Sequence, residues 1–350
     1  MKKVFALMLA LAMSMALLAG CGGSKDTDPP SEGGEGKDPA APAETYTLSI
    51  GLNSVEGDIP YYLADYFKQS IEEKSAGAVK VDLYPGGQMG GDSEMIENVM
   101  SGSLDFYCGN TSNTVPYVTE AAVLDCHWDF DDLEHFRRFI DSGFIDLLND
   151  VYVGKGMRIC SMAEVGMRQL LSNRKIETIK DMAGLKVRVM QNKYHIAAWE
   201  ALGAAPTPMD WGETFVGLQQ KMIDGVEQPY FFICSAKLYE VQDYMLMTNH
   251  LAQPAVLLMS EALYQKLPED IRALVLECAA DAQALTRETC DSMMEDRLQT
   301  ILDNGVEVVD VSPAMLNEMR ELVKPANDLV KKDVGEEFFA KYTELRDAAR

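Results

Sequence analysis

Positive charge is scarce in this chain. Its 31 Lys and Arg residues face 55 Asp and Glu, a formal net charge of −24 at pH 7. So acidic a surface argues against nucleic acid as a partner. Local signatures of chemistry are equally sparse. No Cys-x-x-Cys pair and no Cys/His ligand spacing occurs, so no structural metal is expected. There is no Gly-x-Ser-x-Gly, no His-Glu-x-x-His and no phosphate-cradling glycine loop after a strand, so nothing requires a catalytic site or a cofactor. His127, His135, His195 and His250 form no readable pattern with a nucleophile, and His135 and His195, on predicted helices, are expected to be partly exposed or packed. No internal repeat is visible.

Long apolar runs are also missing, with one exception. Lys2 and Lys3 precede a nearly unbroken apolar stretch from Phe5 to Leu18, followed by Leu18-Ala19-Gly20-Cys21. That is the layout of a bacterial secretory signal ending in a lipoprotein cleavage box, with an uncut membrane anchor as the alternative. The run is too short to span comfortably a hydrocarbon core about 30 Å thick. On the first reading residues 1–20 are removed and Cys21 becomes a lipidated N-terminus. Residues 21–44 contain almost no large apolar side chain and read as a flexible tether.

An extracytoplasmic location permits disulfides. Cys278 and Cys290 sit about 18 Å apart along one predicted helix and cannot pair with each other. Cys108 and Cys160 lie in apolar strand-like runs, where a buried free thiol is the default.

The roughly 300 remaining residues suit two lobes better than one small core. Tyr46, Leu48 and Ile50 alternate as in a strand. A helix is expected over 60–75, a strand over 79–84 ending in Pro85-Gly86-Gly87, a helix after Asp92, and a strand over 104–108. A second α/β run is expected from about 166 to 249. Leu267-Pro268-Glu269-Asp270 starts a helix that continues to about Leu302, long enough to run across both lobes. Ser312-Pro313 opens a last helical region that Pro325 should kink or interrupt. Strand–helix alternation predicts α/β layers with a mostly parallel sheet and a ligand beyond the strand C-termini.

One charge stands out. Arg188 lies inside a short apolar strand, among Leu185, Val187 and Val189, where a solvated side chain has no reason to sit. Around it runs GLKVRV, then ALGAAPTPM, then LQQKMIDGVEQP. With LYPGGQMGGDSEMIENVMSGSLDF (83–106), MTNH (247–250) and LYQKLPED (263–270), these segments resemble the solute-binding proteins of tripartite ATP-independent periplasmic (TRAP) transporters, the DctP family, over most of the exported domain.

The resemblance implies a two-lobed periplasmic-binding-protein-like α/β fold, with a ligand cleft between the lobes and a long bracing helix. Lobe I would comprise 45–165 plus 254–295, and lobe II 166–253 plus 296–350. Arg188 matches the arginine that grips the ligand's carboxylate, through parallel hydrogen bonds that lysine cannot reproduce. Arg168 matches a second basic position, and is otherwise a strand arginine on the surface. Trp211 matches a cleft aromatic, and would be equally at home in a core. Gln228 stands where the family often has asparagine, which lengthens the amide by one methylene. Gln191, Asn53, Asp92 and Asn110 fall at cleft-lining positions, although Asp92 serves equally well as a helix cap.

The function implied is that of a lipid-anchored extracytoplasmic receptor. It would deliver an organic acid, a sugar acid over a plain dicarboxylate, to an ion-gradient-driven TRAP permease. A receptor feeding a sensor or chemoreceptor, or an extracytoplasmic enzyme of organic acids, is the alternative. The acidic envelope does not forbid an anionic ligand, because exposed charges are screened beyond about 8 Å at physiological salt.

Overall fold

The computed structural model describes residues 45–350. The signal segment, the tether and Cys21 lie outside the described residues. Eleven strands form two sheets among the described residues. In chain order they are β1 (Tyr46–Gly51), β2 (Val79–Tyr84), β3 (Phe106–Asn110), β4 (Met157–Met167), β5 (Gln169–Ser172), β6 (Lys186–Val189), β7 (Ala205–Pro208), β8 (Gly225–Gln228), β9 (Tyr244–Met247), β10 (Ala252–Ser260) and β11 (Glu307–Asp310).

The first sheet has the order β2-β1-β3-β10-β4 and the second β11-β9-β5-β8-β6-β7. β1 pairs in parallel with β2 and β3, and β10 returns antiparallel between β3 and β4. In the second sheet β6 is parallel to β7 and β8, whereas β5 runs antiparallel to β8 and β9.

Only a few residues separate the sheets along the chain. Arg168 alone joins β4 to β5, and residues 248–251 join β9 to β10. These two crossings place the ends of both sheets, and the side chains they carry, on a shared cleft. A third crossing is the helix Glu269–Asp303, about 52 Å long at 1.5 Å per residue. Its buried Val275, Cys278, Ala279, Ala282 and Cys290 follow helical spacing and join the core of the first sheet, while Ile301 enters a core of the second. The helix therefore braces both lobes. Pro268 stands just outside it as the N-cap residue.

The first lobe forms as its pattern predicts: Ile59, Leu63, Phe67 and Ile71 bury one face of the helix Ile59–Lys74 against β1–β3. The strand expected over 104–108 runs from Phe106 to Asn110, which leaves Asn110 at its C-terminal end.

Two expectations need correction. Pro325 does not interrupt its helix, which continues from Pro313 to Val334. Pro325 and Glu321, the residue one turn back, are exposed, so the carbonyl that loses its partner faces water. Buried Met315, Met319, Val323, Ala326 and Val330 hold the helix on both sides of the proline. The terminal segment also departs from its assignment to lobe II. Val330, Val334, Tyr342 and Ala349 pack into the first lobe's core, carried there by the helix Glu336–Ala348. The part up to about Ala326 packs its apolar face with the second lobe, and Asp333 still accepts from Lys193 and Tyr194 of that lobe. All six cysteines among the described residues are free thiols, and no described helix is long and apolar enough to cross a membrane.

Candidate functional site

Strand β6 presents Val187 and Val189 to the second lobe's core and turns Arg188 the other way, toward the cleft. Arg188 is only 3% exposed. Its Nε and Nη2 both donate to the Met209 carbonyl, at 2.9 and 2.7 Å, and its guanidinium lies 5.6 Å from the centre of the Trp211 ring. Among the described residues no carboxylate oxygen comes within 4.0 Å of its nitrogens. Burial pulls its pKa down to about 10 against the opposing pull of Glu227, Asp92 and Asp210. At neutral pH Arg188 is therefore a buried cation without a counter-ion.

Arg168 is different. It is fully buried, and every guanidinium nitrogen is engaged by the protein. Nε and Nη2 fork onto the Glu227 carboxylate, with Nη2 at 2.7 Å from Oε1. Nη2 also donates to the Glu227 carbonyl at 2.6 Å, and Nη1 donates to Gln253 Oε1. The surface-strand alternative for Arg168 is excluded by this burial. It is the clamp that ties the first crossing to β8 and β10.

Both arginines line one cavity, with about 430 Å³ of empty space including its mouth. Asn53, Asp92, Asn110, Trp211 and Gln228 line it too, so seven of the eight residues expected there meet at one place. Gln191 does not. It is exposed, donates to Asp210 Oδ1 at 3.3 Å, and belongs to an adjoining recess that shares Asp92, Arg188 and Trp211 with the cavity.

The polar lining is poised differently from residue to residue. Gln228 is 4% exposed, and its Oε1 has no hydrogen-bond partner. Asn110 spends its Oδ1 on the Ser112 amide at 3.1 Å and leaves its Nδ2 with only Met190 Sδ at 3.5 Å. Asp92 is no helix cap, since Gly91 holds that position and makes no side-chain bond. Its Oδ1 instead accepts the Tyr107 hydroxyl at 2.8 Å. Burial pushes the Asp92 carboxyl upward, opposed by hydrogen bonds from Asn53 and Tyr107 and by the Arg188 charge. The loop after β2 leaves room for Asn53: a Cβ on Gly87, at φ +74°, would lie 2.7 Å from Asn53 Oδ1. Trp211 begins the helix Trp211–Gln219 and packs edge-on against Phe232 at 5.5 Å. It therefore lines the cleft and adjoins the core at once.

Behind the cavity lies a buried polar layer that sequence reading missed. The His127 ring centre lies 5.7 Å from that of His195 and 5.2 Å from that of His250, and none of the three lines the cavity. His195 Nε2 meets Asp125 Oδ1 at 3.1 Å, and His250 Nε2 meets Glu227 Oε2 at 3.1 Å. Asp125 also accepts from Ser112 at 2.5 Å and Asn192 at 2.6 Å, which ties residues on either side of the cleft. Burial alone would lower the His195 pKa, but Asp125 and Glu227 outweigh it and raise it to about 9. Burial and the neighbouring imidazoles hold His127 well below its ordinary value, and burial lowers His250. Burial would raise Glu227, yet Arg168, His195 and His250 keep it well below the carboxylate range. One signal for this layer was available: Glu227 sits in a fully buried four-residue strand, as Arg188 sits in an apolar one.

A cleft between two α/β lobes, with a counter-ion-free buried cation and unpaired amides in its wall, defines a binding protein for a small anionic solute. Residues 53–333 match the model of the bacterial extracellular solute-binding protein family 7 (DctP), and the chain belongs to that family. A solute-binding protein of Verminephrobacter eiseniae is 31% identical over 77% of this chain and 81% of its own length. The sugar acid binding protein of Advenella mimigardefordensis, solved with galactonate, superposes with a TM-score of 0.83 at 28% identity, covering 88% of this chain and 99% of that one. A TRAP periplasmic solute-binding protein of a Polaromonas species, bound to D-erythronate, gives a TM-score of 0.81 at 30% identity, over 86% and 98% of the two chains.

Proposed function

We propose that this chain captures an organic acid and delivers it to a TRAP permease, with Arg188 holding the carboxylate. One observation carries this reading: Arg188 is buried and charged, and has no carboxylate within 4.0 Å among the described residues. An uncompensated buried charge is costly, and a bound carboxylate removes the cost through charge-assisted hydrogen bonds. Arg168 is already neutralised by Glu227, so the cavity has one cation to offer. That suits a single carboxylate with hydroxyls on the remaining carbons, to be met by Gln228, Asn110, Asn53 and Asp92. Similarity to proteins solved with galactonate and with D-erythronate supports a sugar acid.

Arg168 then acts on the ligand's position, by holding β8 and with it Gln228, and by adding local potential. Trp211 covers the ligand's apolar face. The lobes close by hinge motion, because only a closed cleft brings both walls to the ligand. The ligand leaves unchanged, so the protein is a receptor without turnover. Cys21 carries a lipid that keeps the receptor at the outer face of the membrane beside its permease.

Thermal unfolding of the purified full chain against sugar acids, C4-dicarboxylates, keto acids and aromatic acids tests the reading. A ligand at 100 times its dissociation constant stabilises by about 2.7 kcal/mol. An acid whose shift disappears in Arg188→Ala is the expected result. A shift by neutral sugars or cations, with none from any acid, overturns it.

A further inference from the structure

Adjoining the Arg188 cavity is a second chamber, open to solvent, with about 570 Å³ of empty space including its mouth. Trp211 and Asn53 line both, so the two spaces share a wall. The loop after β1 supplies Val55 and Asp58 to the chamber, and Thr214, Phe215 and Ser235 face it from helices of the second lobe.

Only half of the Asp58 carboxyl is used by the fold. It is 1% exposed. Its Oδ2 accepts the Val55 amide at 3.1 Å, but its Oδ1 has no hydrogen-bond partner. Among the described residues no cationic nitrogen lies within 4.0 Å of it. It occupies the residue before the helix Ile59–Lys74, where aspartate ordinarily accepts an N–H of the first turn. Here it makes no such bond, so helix capping does not account for it. Burial pushes its carboxyl up to about 7, against the pull of Ser235, the Val55 amide and the Arg297 charge. A buried carboxylate oxygen left bare costs stability, which a hydrogen-bond donor entering the chamber recovers.

We propose that this chamber is a subsite for the hydroxyl-bearing far end of the acid held at Arg188, with Asp58 Oδ1 accepting one of its hydroxyls. The inference rests on the Arg188 reading and adds a length and a chemistry to it. A hydroxyl fits this carboxyl in either protonation state, because it can both donate and accept. Asn53, Thr214 and Ser235 can exchange donor and acceptor roles with further hydroxyls. The receptor thereby selects polyhydroxy monocarboxylates long enough to pass Trp211.

Titration calorimetry of the purified full chain tests this with galactonate, a six-carbon acid, and D-erythronate, a four-carbon acid too short to fill both spaces. Two variants change the chamber by different means: Asp58→Asn replaces the carboxylate at constant shape, and Ala236→Leu narrows the space with Asp58 intact. The unmodified chain is expected to prefer galactonate, and the ratio of galactonate to erythronate association constants falls about tenfold in each variant. A ratio that stays within about twofold in both variants overturns the subsite, as does a wild-type chain that prefers erythronate. Arg188→Ala separates the two levels. If it abolishes both acids while the chamber variants leave the ratio alone, only the subsite fails. If neither acid binds and Arg188→Ala changes nothing, the Arg188 reading fails and the subsite with it.

Discussion

Two buried arginines face the same cavity, one 0% and one 3% exposed. Arg168 is forked onto Glu227 and capped by Gln253, while Arg188 has only a carbonyl and an aromatic ring for company. Burial alone would call both of them core residues. Their partners separate them: a charge whose bonds are complete holds the fold, and a charge left open is available to a ligand. The comparison also limits the site's charge. With Arg168 paired to Glu227, Arg188 is the one cation of the lining without a carboxylate partner among the described residues.

Removing the partner from the paired arginine should have the largest effect. Glu227→Gln strands Arg168 and is expected to lower unfolding free energy by about 3–5 kcal/mol, measured by denaturant titration without ligand. A loss under about 1 kcal/mol would show that Arg168 had found other compensation. Removing the open arginine should do the reverse. Arg188→Ala is expected to weaken acid binding by about a hundredfold or more in calorimetry, while ligand-free stability moves by less than about 1 kcal/mol. Equal damage to both properties would erase the distinction between the two arginines.

The histidine layer behind Arg168 gives a pH-dependent version of the same test. His195 has its folded pKa raised to about 9, above the ordinary 6.5. The folded state therefore holds the proton more tightly than the unfolded state. Its contribution is complete below about pH 6.5 and is lost as pH rises through 9. Ligand-free stability should show a declining alkaline limb over that window, and His195→Asn should flatten it. His127 and His250 are shifted down, so they act with the opposite sign: as pH falls below about 6.5 the unfolded state gains protons that they refuse. An alkaline limb unchanged in His195→Asn would remove Asp125 and Glu227 as its cause. The smallest effect belongs to Gln191, outside the cavity: Gln191→Ala should change acid affinity by less than about twofold. A loss near that of Arg188→Ala would show that the cleft edge belongs to the site.

The lining of the cavity was largely legible from sequence because the segments that carry it resemble the family's, and several of its residues fall at the ends of strands or the starts of helices. Arg188 stood out as a charge among Leu185, Val187 and Val189, and Gln228 and Asn110 fall at the last positions of β8 and β3. Gln191 was expected at the cleft and lines a recess that shares Arg188, Asp92 and Trp211 with the main cavity, but it does not line that cavity itself. Asp92 was ambiguous because an acid in a helix's first turn looks the same whether it caps the helix or accepts from Tyr107. The helix through Pro325 was misjudged because a proline's cost depends on which face of the helix loses its hydrogen bond, and that face is set by what packs opposite.

By itself the sequence determined the strands and helices, the long brace and the presence of one arginine where no solvated charge belongs, since period and local composition are properties of neighbouring residues. It did not determine which arginine would be free. Arg168 meets a carboxylate 59 residues away and an amide 85 residues away, and three histidines from separate segments converge behind it. Tertiary structure alone decided those pairings, because electrostatic satisfaction depends on distance through space.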